Sequence, residues 1–382
     1  MTTPDRRGFA LPAVLLAVTV LLILTTAGFY SANQEAKVGT SNRQATTAFY
    51  MAELGISEVL EGWSNASFAA LPQWDSTIFV DTVGTGIWRV KVTKTNDKVY
   101  LLDSSGTAVD RGPMFPGATR RLGLVARLTL PDFDPKAALT TRNNVSVRGR
   151  AEIHGEDAVP PGWGGVCSGV LSDRAGVLID DTSNMSKSGQ GKITGTPPIE
   201  EDSTITGSTF TDFGDLHWPE LIQMASKVYS GGSLNQFLPR LDASGNCDRG
   251  HQLNWGDPVN PGGPCGNYFP VIHIQGDANL QSGSRGQGIL LVDGSLDVRG
   301  DFIFHGLIIT QGDFNAQGAG NRVYGAVMAS NVDFDLQKGV GASQLDYSRC
   351  AIERAILNSS DLNRARPLME RGWIDASLVP TT

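Results

Sequence analysis

Val271-Ile272-His273-Ile274-Gln275-Gly276 returns as Ile289-Leu290-Leu291-Val292-Asp293-Gly294, and then as Leu307-Ile308-Ile309-Thr310-Gln311-Gly312. A fourth version is Ala326-Val327-Met328-Ala329-Ser330-Asn331. The turn residues that close these segments stand at 276, 294, 312 and 331, in steps of 18, 18 and 19. A finer beat of six runs inside each step. Leu290, Leu296, Phe302, Ile308 and Phe314 keep it, and so do Val292, Val298 and Phe304. Three six-residue faces per turn describe a triangular β-solenoid, with apolar positions pointing inward and Gly or Asn at the corners. One extra residue near Gly318-Ala319-Gly320 blurs the last register.

The pattern extends outward from there. Val147-Arg148-Gly149-Arg150-Ala151-Glu152-Ile153-His154-Gly155 parallels Val298-Arg299-Gly300-Asp301-Phe302-Ile303-Phe304-His305-Gly306, and Gly176-Val177-Leu178-Ile179-Asp180 reads as another coil. These segments place a solenoid over 141–345, interrupted at 197–270. The interruption holds a helix over Pro219–Tyr229, with Pro219 suited to the first helical position. A Gly-, Pro- and Asn-rich loop with Cys247 and Cys265 follows. After the solenoid, 346–382 reads as a helix over Cys350–Leu357 that caps the open end, followed by a tail. Before it, 132–140 reads as a linker, because Asp132-Phe133-Asp134-Pro135-Lys136 breaks both periodicities.

Residues 64–131 read as a small antiparallel sheet. Gly86–Thr93 alternates, Thr95-Asn96-Asp97-Lys98 is a turn, and Val99–Leu102 and Arg121–Leu130 supply further strands. The fold class is therefore α+β followed by all-β. Composition agrees: 45 Gly among 382 residues and a charged fraction of 18% favour turns and short strands over helical bundles. A net charge of -8 disfavours nucleic acid as a partner.

From Gly8 to Gln34 there is no Asp, Glu, Lys or Arg. Leu11, Leu15, Leu16, Leu21, Leu22, Ile23, Leu24 and Phe29 fill an apolar run that begins at Phe9. As a helix it is about 30 Å long, the thickness of a bilayer's hydrocarbon core. Arg6 and Arg7 flank it, which keeps the N-terminus cytoplasmic and sends the rest outward, where disulfides form. The helical spacing continues through Ala45, Ala48, Phe49, Ala52, Ile56, Val59, Leu60 and Trp63. The whole of 9–63 is then one helix of about 80 Å, apolar all round in its first half and amphipathic in its second. Three other uses compete for the apolar run: a plain membrane anchor, a secretory signal cut near Ala27, and a twin-arginine signal.

Arg6-Arg7-Gly8-Phe9-Ala10-Leu11 resembles the leader junction of type IV pilins and type II secretion pseudopilins. Ala48-Phe49-Tyr50-Met51-Ala52-Glu53 is similar to the corresponding region of PilX-type minor pilins. The resemblance implies a leader over 1–8, cleavage by a prepilin peptidase after Gly8, and methylation of the new amino group on Phe9. It departs from the major pilins at Ala13, where they carry Glu, and in this it resembles the K-type minor pseudopilin of filament tips. The solenoid resembles bactofilin-type polymer-forming domains in architecture, and by that likeness its hand is right.

Four cysteines allow three pairings. Cys247 and Cys265 share one loop, which favours their pairing and leaves Cys167 with Cys350. Zinc is the alternative, with no CxxC spacing and only His251 near a cysteine pair. Asp277, Asp293, Asp297, Asp301, Asp313, Asp333 and Asp335 gather near turns, where carboxylates serve calcium or, more commonly, turn backbone. His154 and His305 hold equivalent repeat positions. Trp163, Trp218 and Trp255 read as exposed and suited to a sugar or a partner, although tryptophan more commonly anchors a core or loop. No catalytic residue, metal or cofactor is expected.

The expectation is a structural protein: a minor pilin or pseudopilin. It is first a single-pass prepilin of a bacterial inner membrane with its later domains periplasmic, and then part of a pilus or pseudopilus at the cell surface. Its partners would be other pilins through the helix, the prepilin peptidase, the inner membrane, and a surface glycan or protein at the solenoid. Two alternatives belong to other classes: a membrane-anchored β-helix that acts on or binds extracellular polysaccharide, and a tethered polymer-forming scaffold.

Overall fold

A computed structural model describes residues 10–63, 68, 70–108, 117–128, 131–167, 169, 172–281, 283–335, 343–368 and 372–375. The chain divides into two compact units. The first is Met1–Trp63, Ser67–Arg127 and Ala365–Thr382; the second is Ser64–Ala66 and Leu128–Arg364.

In the first unit the helix α1 (Ala10–Glu61) is followed by an antiparallel meander of β1 (Ser76–Val83), β2 (Gly86–Lys94), β3 (Val99–Ala108) and β4 (Thr119–Leu128). β2 alternates as its sequence does. Trp88, Val90 and Val92 are buried, while Ile87, Arg89 and Lys91 face solvent. The turn before β3 is held by Asn96, whose Oδ1 accepts from the amides of Lys98 (2.9 Å) and Val99 (2.8 Å). β1 escapes a periodicity reading because its side chains carry no inside–outside contrast: Ile78, Phe79, Val80 and Val83 are all exposed.

The second unit is a large, mainly parallel sheet wound into a solenoid-like β domain. Its first strands are β5 (Ala137–Thr141), β6 (Val145–Val147), β7 (Glu152–His154), β8 (Ala175–Ile179), β9 (Met185–Lys187), β10 (Lys192–Thr194) and β11 (Ile199–Glu201). A hairpin of β12 (Asp212–Phe213) and β13 (Leu216–His217), then α2 (Trp218–Gln223), lead to β14 (Lys227–Leu234). The remaining strands are β15 (Val271–Leu280), β16 (Arg285–Val292), β17 (Leu296–Arg299), β18 (Ile303–Thr310), β19 (Asp313–Gln317), β20 (Arg322–Ala329), β21 (Asn331–Asp335) and β22 (Gln344–Tyr347). The helix α3 (Arg349–Leu357) follows. β23 (Ala365–Pro367) and β24 (Trp373–Asp375) then pair with β4 of the first unit's sheet.

One ladder of parallel partners gives the topology. It runs Lys227, Ile272, Leu290, Ile308, Val327, Leu139, Val177, Ile199. The chain therefore winds from β5 out to β11 and travels back through 202–226 to the far end at β14. From there it returns coil by coil until β20 meets β5. The beat of six lines the interior: Leu290, Leu296, Phe302, Ile308 and Phe314 are fully buried, as are Val292, Val298 and Phe304. β16, β18 and β20 are buried along nearly their whole length, so their outer face is covered as well. α3 packs across these three strands through Ala351, Ile352 and Ala355. The travelling segment joins the same core through Ile205, Phe210, Phe213 and Leu221.

Four sequence expectations differ from this arrangement. The solenoid begins at Ala137, inside the stretch read as a linker, because Ala137–Thr141 is wholly buried against β8 and β20. The interruption at 197–270 carries two strands of the parallel sheet, β11 and β14, besides the β12–β13 hairpin. The helix expected over Pro219–Tyr229 stops at Gln223, since from Lys227 onward the backbone pairs with β15. The helix expected to cap the open end lies instead along the side of the coils, and the tail beyond it contains β23 and β24.

A helix half packed and half bare as the candidate functional site

α1 is a single helix of 52 residues, about 78 Å long at its standard rise. Its two halves meet different surroundings. From Leu11 to Phe29 the apolar side chains are exposed: Leu11 is 75% exposed, Leu22 59% and Phe29 71%. Leu15, Leu16, Leu21, Ile23 and Leu24 are exposed in the same way. This stretch is long and apolar enough to cross a membrane. Its few hydroxyls are satisfied within the helix, as an apolar medium requires. Thr19 donates to the Leu15 carbonyl (3.0 Å), Thr25 to that of Leu21 (2.9 Å) and Thr26 to that of Leu22 (2.6 Å). Arg6, Arg7, Gly8 and Phe9 lie outside the described residues.

The second half is held by a seam of small residues. Ala48, Ala52 and Ile56 are fully buried against β2 and β3. The approach is closest at Gly106, where a Cβ would stand 2.1 Å from the Ala48 carbonyl oxygen. Beside it the buried Ser104 hydroxyl donates to the Ala52 carbonyl at 2.7 Å. Trp63 closes the seam, edge to face with Tyr100 at 4.9 Å between centroids. The helix is thus clamped at one end and bare at the other.

In the second unit the cysteines pair as Cys167–Cys350, which ties the segment after β7 to α3, and as Cys247–Cys265, which closes the inserted loop. Lys227 also holds that loop. Its buried ammonium donates to the carbonyls of Arg249 (2.7 Å) and His251 (3.0 Å), and burial pulls its pKa down. Nothing in the local sequence marks this lysine, because its partners come from a loop folded over it.

His154 and His305 stand in one column, in the order His305, Tyr324, Asp346, His154 across adjacent strands. His305 is buried between the rings of Trp163 and Tyr324, and burial pushes its pKa down to about 3. His154 bonds Thr194 at 2.8 Å and Glu152 at 3.1 Å. Burial raises the pKa of Asp346 in the same column. Trp163 and Trp255 are fully buried anchors, so neither offers a face to a ligand. Trp163 donates to the Pro258 carbonyl (2.8 Å), and Trp255 stacks on Phe237 at 3.8 Å. Trp218 is half-buried and donates to Asp293 at 3.0 Å.

The repeat aspartates take neighbouring donors. Asp277 accepts from the Ser295 amide (2.7 Å), Asp297 from Asn315 (2.8 Å) and Asp313 from Asn331 (2.6 Å). Asp293 also accepts from His273 (2.9 Å). Arg148 approaches Asp333 at 3.9 Å. Asp301 sits at a turn with a φ of 53°, and Asp335 pairs through its backbone in β21. Among the described residues no group of three His, Cys, Asp or Glu is placed to hold a metal ion.

No family model matches the chain, and no curated protein matches it. Among solved structures, the competence-associated pilin ComZ from Thermus thermophilus aligns over 85% of this chain and 96% of its own, at 13% identity and a TM-score of 0.28. A superposition that loose carries no argument about this chain.

Proposed function

We propose that this chain is a minor pilin or pseudopilin of PilX type with a structural, non-enzymatic role. In this reading it is inserted in a bacterial inner membrane as a prepilin and cut after Gly8. It is methylated on Phe9 and then drawn into a type IV pilus or a type II secretion pseudopilus. The observation that carries the proposal is the division of α1. A membrane-length apolar half is left bare while the same helix continues, unbroken, into a half clamped by a small antiparallel sheet. A plain anchor needs no rigid extension of that kind. A helix that leaves lipid to pack among other apolar helices needs both parts, because the bare stripe must find apolar neighbours in either setting. The solenoid, with about eighteen residues per coil and a right-handed winding, is then the outward part, available to a surface or a partner.

Mass spectrometry of the mature protein tests this reading. A methylated Phe9 N-terminus is expected. An intact Met1, or a cut near Ala27, would overturn it.

A further inference from the structure

The second unit contains a cavity of about 260 Å3 between the chain leading into β5 and the travelling segment before β12. Its floor is apolar. Phe133 and Phe213 meet edge to face at 4.9 Å between centroids, next to Ile205 and Leu178. The walls are tied together before any ligand arrives. The Asp132 amide donates to the Phe213 carbonyl (3.0 Å), Pro131 and Gly214 form an antiparallel bridge, and Gln311 donates to the Phe210 carbonyl (2.8 Å).

The rim carries acceptors and donors together. Asp132 and Asp202 supply carboxylate oxygens, and Lys136 supplies an ammonium. Thr209 accepts from the Thr206 amide at 3.1 Å, which leaves its own O–H to donate elsewhere. Two further rim carboxylates are already compensated: Asp134 by Arg174 (2.9 Å) and Asp212 by His217 (3.0 Å). Asp202 receives the Thr204 amide (2.9 Å) and hydroxyl (2.6 Å). A cationic ligand would be repelled by the Lys136 ammonium on the rim. A neutral ring bearing hydroxyls would not, because each hydroxyl both donates and accepts while the C–H face of the ring packs against Phe133 and Phe213. The volume is below the roughly 300–1,000 Å3 of drug-sized sites, which suits one sugar ring.

We propose that this cavity binds a neutral monosaccharide unit, free or at the end of a glycan. The site lies wholly within the second unit and does not rest on the filament reading.

The test is calorimetric titration of the full chain, held in a sugar-free zwitterionic detergent. The probes are the methyl glycosides of glucose, galactose, mannose and N-acetylglucosamine, with n-butylammonium as the cationic control. At least one glycoside is expected to bind with a dissociation constant on the order of millimolar. Among the described residues the Asp132 carboxylate takes no hydrogen bond, so Asp132→Asn should weaken that binding about threefold, and Asp132→Asn with Asp202→Asn about tenfold or more. The melting temperature of Asp132→Asn should stay at the wild-type value. Silence from all four glycosides, heat from n-butylammonium in their place, or glycoside binding untouched by both variants would overturn the proposal.

Discussion

The two sheets use glycine for different neighbours. In the first unit Gly106 lets a helix backbone lie against a strand. In the second, Gly288, Gly306 and Gly325 form a column across three coils, each with a φ between 114° and 144°. A Cβ on Gly306 would stand 2.1 Å from the Gly288 carbonyl oxygen and 3.2 Å from the Ala355 side chain of α3. Within the antiparallel sheet β1, β2 and β3 follow one another through short turns, so their register is set locally. The parallel sheet joins β20 to β5, strands from opposite ends of its unit, so its register depends on the whole stack closing. Local pairing tolerates local damage, whereas a stack passes damage from coil to coil.

The largest expected effect is on that column. Gly306→Ala should destabilise the second unit by about 5 kcal/mol or more, because backbone strain and a backbone clash coincide there. Gly232→Ala is the control, with a φ of 103° but nothing within 4 Å, and should cost only about 1–2 kcal/mol. Denaturant unfolding of the full chain in detergent measures both. Equal costs would mean that the close coil contact is unimportant.

Acid separates the two regions next. All five histidines of the chain lie in the second unit, and His305 is held neutral there. Its folded pKa, about 3, is below the unfolded value of roughly 6.5, so between those limits the unfolded chain binds the extra proton. The resulting stability is present above about pH 6.5 and falls by about 1.4 kcal/mol per unit as the pH drops toward 3. Asp346, its pKa raised by burial, works in the opposite direction above its own unfolded value. His305→Phe should flatten the acid slope of the second unit's unfolding and leave the first unit unchanged. An unaltered slope would remove His305 as its cause.

The disulfides come third. Cys167–Cys350 spans 183 residues and Cys247–Cys265 spans 18, so loop closure favours the longer bridge by about 2 kcal/mol. Replacing each pair with alanine and comparing unfolding midpoints checks the order. The smallest effect belongs to the first unit: Ser104→Ala removes the hydroxyl bond to the Ala52 carbonyl and should cost about 1 kcal/mol. A much larger loss would mean that the helix clamp depends on that one bond.

Much of the molecule could be read from residue patterns. The apolar run of α1, the strands β2 to β4 and the inward positions of β15 to β21 follow from helical, alternate and six-residue spacing. Even the kinship of His154 with His305 was visible, and the two stand in one column. The cavity was hidden because Phe133 and Phe213 come from segments that read as linker and insertion. β23 and β24 were hidden because three-residue edge strands carry no period.

What the sequence determined by itself is everything that repeats or alternates: a membrane-length helix, an antiparallel meander, and coils with a fixed inward face. Those properties depend on each residue's own geometry and polarity. What only the tertiary structure decided is which coil lies next to which. A parallel coil offers the same hydrogen-bonding edge to any other, so the repeat cannot say whether β11 or β20 neighbours β5. The travelling segment, the α3 helix across the side and the Cys167–Cys350 bridge make that choice, since each joins residues that only the closed stack brings together.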